Sequence, residues 1–150
     1  MNAVLHSLAY SLDFLRDQVA GLSPNDMVTQ PAGVVNHPAW TIGHLTHTCE
    51  MLGGAIGVEP WLPGDWGERF GTDRALGMLL DARGRVVEAV QRMDEASLDA
   101  PFPDAAYLDV FPTIRHALTQ VLVGHMAFHV GQVSVWRRAM GLPPMTRPYE

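Results

Sequence analysis

IRHALTQVLVGHMAFHVGQVSVWRRAM, residues 114–140, is the stretch that decides the fold. Ile114, Leu118, Val121, Leu122, His125, Phe128, His129, Gln132, Val133 and Trp136 recur at the spacing of one face of an α-helix. That face carries His125 and His129 at i and i+4. On a helix such a pair has its β-carbons roughly 5–6 Å apart, close enough to share a metal ion. Two imidazoles on an inward face are costly unless their ring nitrogens find partners. A metal ion, water or backbone carbonyls would each serve.

A second segment, HPAWTIGHLTHTCEMLGGAIG at residues 37–57, mixes histidine with an apolar stripe in the same way. Trp40, His44, His47, Met51 and Ala55 follow three- and four-residue spacing. Either His44 or His47 can meet the pair across a helix interface, since the two lie about 60° apart around the axis. Three neutral imidazoles leave coordination positions open on a divalent ion, the arrangement of a reactive site. Position 126 is Met126 and not glutamate, so the HExxH pattern of zinc proteases is absent.

Two more helices complete the set. Residues 2–20 place Val4, Leu5, Leu8, Leu12, Leu15 and Val19 on one stripe, ended by Gly21 and Pro24. Residues 72–97 start at a possible Thr72 cap and carry Leu76, Leu79, Leu80, Arg83, Val86, Val87, Val90 and Met93. Pro38 suits the first turn of the 38–57 helix. The last helix begins near Pro112 or Thr113 and stops at Gly141, before Pro143 and Pro144. The expected fold is all-α: a four-helix bundle, packed up-down, with long connecting loops. Residues 21–37 and 98–111 are the long connections, and long connections often carry function. In GVEPWLPGDWGERFG, residues 57–71, Trp61, Trp66 and Phe70 either wall a ligand pocket or pin the loop to the core; pinning is the favoured reading.

Composition narrows the function classes. At 150 residues, 47% hydrophobic and 17% charged, the chain reads as one globular domain, 1–150. The net charge is −6 and the only basic cluster is Arg137-Arg138, so no nucleic-acid partner is expected. Those arginines suit a helix C-terminus. The lone Cys49 excludes an intrachain disulfide and is expected to fill space in the core. With no apolar run long enough for a span and no signal-peptide pattern, a cytoplasmic protein without membrane contact is the expectation.

The stretch PxxxxNHPAWTIGHLxH at Pro31–His47 and the stretch HxxxHVGQVxxxRRxxGLPP at His125–Pro144 resemble the DinB/YfiT-like metal-binding four-helix bundles. GDWGERFG at 64–71 and FPTIRHAL at 111–118 are also similar, so the resemblance covers essentially the whole chain. It implies a divalent metal ion (Zn, Ni, Fe or Mn) held by three histidines, carried over here as His44, His125 and His129. His47 then becomes a neighbour one turn along, and His37 a helix-start residue. His6 and His116 have no assigned partner, and Gln132 either orients a ligand or packs between helices. The resemblance further implies homodimers, and activities that include thiol-dependent S-transferases and isomerases.

The expected function is therefore a metal-dependent enzyme acting on a small-molecule substrate, either a thiol-dependent S-transferase with a low-molecular-weight thiol as co-substrate or a hydrolase. The alternative is a non-catalytic, stress-related metal-binding bundle; a blander one is a helical dimer whose histidines merely hydrogen-bond. Trp40, Trp136 and Phe128 are candidates for an apolar pocket beside the metal, or for ordinary core. Glu50, Asp65 and Asp109 are the conceivable general bases, each more simply a solvated charge.

Overall fold

The computed structural model describes residues 1–64, 66 and 75–145. Among them every extended element is helical, and the one β-bridge pairs Pro101 with Thr113. α1 (Asn2–Val19) buries Leu8, Leu12, Leu15 and Val19, the stripe set by its sequence spacing. Gly21, at φ 76°, turns the chain away in a conformation that side chains with a β-carbon rarely adopt. The connection that follows has its own short helix, α2 (Pro24–Val28). Its start is a reciprocal cap: Ser23 Oγ accepts the Asp26 N–H at 3.1 Å, and the Asp26 carboxylate accepts the Ser23 N–H at 2.9 Å.

α3 (Pro38–Ala55) begins with Pro38, whose missing N–H costs nothing there, and with His37 Nδ1 accepting the Trp40 N–H at 3.1 Å. It buries Ile42, Leu45, Cys49 and Leu52. α4 (Ala75–Arg92) contributes Leu79, Ala82, Val86 and Val90; the expected Thr72 cap lies outside the described residues. The helix expected to run to residue 97 stops at Arg92. Asp94 accepts the Ser97 N–H at 2.8 Å and so starts a separate short helix, α5 (Glu95–Asp99). An aspartate competes for backbone N–H groups in a helix interior and satisfies them at a cap, so the break falls there.

The fourth long segment departs from a uniform helix. α6 (Ile114–Thr119) passes into a π-helical turn, Gln120–His125, and then α7 (Met126–Ala139). Leu118, Leu122, Met126 and Val130 are all buried at strict four-residue spacing. Four outruns the 3.6-residue period, and the wider turn absorbs the drift by retarding the helix face by about 100°. A uniform period had put Phe128 inside. Met126 takes that place, and Phe128 is 62% exposed.

The bundle is not a simple up-down ring. The larger helix–helix contacts join α1 to α7, the π turn and α4, and α3 to α4 and α7. α1 therefore stands diagonal to α3, and α4 diagonal to the 114–139 segment. Both long connections cross a bundle end to reach a diagonal position, whereas hairpin loops join neighbours. Arg137 is not a surface charge at a helix end. It is 6% exposed and donates to the carbonyl oxygens of Gln18 and Pro143, tying α7 to the open C-terminus of α1. Arg138 is exposed, as expected.

Candidate metal centre

Three helical segments deliver one imidazole each: His44 from the middle of α3, His125 from the end of the π turn, His129 from the first turn of α7. His44 Nε2 and His129 Nε2 both lie 3.1 Å from His125 Nε2, and the candidate ligand atoms of all three lie within 4.8 Å of one another. With hydrogen bonds alone, a single N–H on His125 would have to serve both of its neighbours. A neutral ring has one N–H, and His129 spends its own at Nδ1, which donates to Gln132 Oε1 at 2.8 Å. Its Nε2 therefore presents a bare lone pair to the centre. Three such nitrogens converging on one point could hold a cation. Imidazole nitrogens sit about 2.0–2.1 Å from a zinc-sized ion, so tetrahedral ligands stand roughly 3.3 Å apart, close to the separations found here.

The rings are also in the protonation state that ligation needs. Burial, and then the neighbouring charges of His129, His125 and His47, push the His44 pKa down to about 4. Burial and the His129 charge lower His125, and burial lowers His129 against a small upward pull from the Gln132 hydrogen bond. All three are shifted toward the neutral form, and protons compete for them below the ordinary histidine range.

Neighbouring side chains hold two of the rings. Trp40 stacks on His44 at 4.9 Å between ring centres and 12° between planes. Gln132 Oε1 accepts from His129 Nδ1 and, at 3.2 Å, from Asn36 Nδ2, so the amide is locked with its oxygen toward both donors. Asn36 thus positions a ring on a helix far along the chain. Its place in the sequence, just ahead of a helix start, carries no signal of that contact. His125 Nδ1 is buried and has no partner among the described residues. Gln132→Leu is expected to weaken metal binding about 10- to 100-fold by freeing the His129 ring. A competition titration with a chromogenic chelator measures this; affinity within twofold of the wild type would show that Gln132 only packs.

The remaining candidates fall elsewhere. His47 and His6 are exposed, His37 caps α3, and His116 is exposed at the start of α6 with Nδ1 2.8 Å from Thr113 Oγ1. Glu50 accepts the backbone N–H groups of Trp61 and Leu62 at 3.0 and 2.7 Å, which makes it a loop clamp and not a base. Asp109 is exposed; Asp65 and Phe70 lie outside the described residues. Trp66 is buried and donates Nε1–H to Gly43 O at 3.2 Å, and Trp61 packs on Gly53, so both pin their loop to α3. Cys49 is buried, with its thiol pushed up to about 12 by desolvation, an inert filler. Trp136 is core and Phe128 lies at the surface with its edge toward His129, so of the three expected pocket aromatics only Trp40 touches the cluster as a wall.

A cavity of about 690 Å³, lined in part by His125, lies between α3, the π turn and the 98–111 connection. The described helices include none long and apolar enough to cross a membrane. The sequence profile of the DinB superfamily matches residues 9–133. No curated protein and no solved structure matches the chain.

Proposed function

The chain belongs to the DinB superfamily, and from that premise we propose that it is a metal-dependent enzyme acting on a small molecule, a thiol-dependent S-transferase or a hydrolase. The observation that carries the reading is the triangle of Nε2 atoms from His44, His125 and His129 beside an open cavity. Three imidazoles would hold the ion and leave positions free, and a divalent ion so held lowers the pKa of a thiol or water that joins it.

The protein's own residues supply the rest by position. Trp40 and the Asn36–Gln132 pair keep two rings aimed at one point, which limits the reorganisation needed when the centre is filled. Glu50 is committed to loop backbone and no carboxylate joins the cluster among the described residues. Among the described residues the chemistry therefore draws on acidification of the bound molecule. The cavity brings a substrate to the His125 side.

The test is an activity screen on protein loaded in turn with Zn, Ni, Fe and Mn, using a low-molecular-weight thiol with a haloaromatic acceptor and, separately, activated esters. A metal-dependent rate that a chelator abolishes and metal restores is expected. Full metal occupancy with neither reaction accelerated over free metal would leave a non-catalytic metal-binding bundle instead.

A further inference from the structure

The cavity at His125 has a wall of specific chemistry. Tyr107 and Phe111 stack 6.2 Å apart with planes 17° from parallel, and Phe102 meets Phe111 edge-on at 5.5 Å, so one side is a folded aromatic cluster from the 98–111 connection. Met51 and Leu52 of α3 and Val121 of the π turn face it. Its volume of about 690 Å³ is that of a small-molecule site. Among the described lining residues the only carboxylate is Asp104, whose Oδ1 is held by the Ala106 N–H at 2.9 Å, and there is no lysine or arginine. Without a bound metal, an anion placed here would meet no cationic side chain among the described lining residues to offset its lost hydration.

The π turn adds one polar handle. Residues five apart on an α-helix point about 140° from each other. The wider turn closes most of that angle, and Gln120 and His125 line the same cavity. Gly124 leaves the room: a β-carbon there would stand 3.0 Å from Gln120 Oε1. Among the described residues the Gln120 amide has no hydrogen-bond partner, and it can both donate and accept.

We propose that this cavity binds an uncharged aromatic molecule whose polar group meets the Gln120 amide. The inference rests on the reading of the centre as a small-molecule site and names its substrate class. Binding can nevertheless be measured without metal.

The experiment is a fluorescence titration of the full chain, metal-loaded and metal-free, with a matched pair of probes. N-phenyl-1-naphthylamine is uncharged, and 8-anilino-1-naphthalenesulfonate is the same aryl amine bearing an anion. In the metal-free preparation the neutral probe is expected to bind at least about tenfold more tightly. Val121→Trp should abolish binding by filling the cavity. Val110→Arg, at a rim position that is 63% exposed and so tolerant of charge, should shift the preference toward the anion. Gln120→Leu should weaken displacement by 2-acetylnaphthalene about three- to tenfold while the neutral probe stays within twofold. No binding, equal binding of the two probes without metal, binding unaffected by Val121→Trp at unchanged melting temperature, or a preference that Val110→Arg leaves alone would each overturn the proposal. An unchanged ketone displacement in Gln120→Leu would overturn the polar handle. Failure to load metal would count against the proposed function alone.

Discussion

Replacing His125 with Ala is expected to reduce metal affinity by two to three orders of magnitude and to leave the protein folded. Zinc binding by four ligands in small peptides releases about 10–16 kcal/mol, so one ligand's share is about 3–4 kcal/mol. That share corresponds to roughly a 100- to 1,000-fold change in dissociation constant. His125 stands between the other two rings, with its Nε2 3.1 Å from each, so its loss leaves two nitrogens that no longer share a neighbour. The helix itself is not at risk, because Leu122 and Met126 on either side keep the π turn packed on the core. Metal content after dialysis against a weak chelator, beside a circular-dichroism melt, reads both quantities. His47→Ala serves as the control, since His47 is exposed, and it should retain metal. Equal metal retention by His125→Ala and the wild type would mean that the ion, if bound, sits elsewhere.

Trp136→Ala is expected to cause the largest loss of stability. The indole is fully buried and its Nε1–H donates to Thr29 O at 2.7 Å, linking α7 to the end of α2. Removing a buried tryptophan costs about 3–5 kcal/mol, and leaving Thr29 O without its donor adds about 1–3 kcal/mol. Domains of this size are stable by about 5–15 kcal/mol in all, so the variant is expected to melt roughly 10–20 °C lower. Trp136→Phe keeps most of the volume and loses the hydrogen bond, so it should fall between the two. A drop of under about 3 °C for Trp136→Ala would contradict the placement of this side chain in the core.

The parts of this architecture that are local were open to reading from the sequence. The stripe of α1, the start of α3 at Pro38 and the stop at Gly141 rest on neighbours within a turn or two. The pairing of His125 with His129 is local in the same sense. The third ring was ambiguous because His44 and His47 differ by only about 60° on their helix. The structure separates them by which one faces the bundle: His44 meets the pair and His47 is exposed. The π turn left no local mark, since it answers a mismatch between four-residue spacing and the α-helical period that appears only once the face is packed. The same holds for Asn36 and for Arg137, whose partners are distant in the chain. The diagonal connections were visible as length and explained only by contact.

One measurement bears most directly on the metal centre: X-ray absorption at the metal edge of the loaded protein. Three imidazole nitrogens are expected at about 2.0–2.1 Å, with the remaining positions filled by exchangeable light atoms. The His129→Ala variant should show one imidazole fewer. A shell with fewer than two imidazoles, or one closed by sulfur or carboxylate from the protein, would contradict the three-histidine centre.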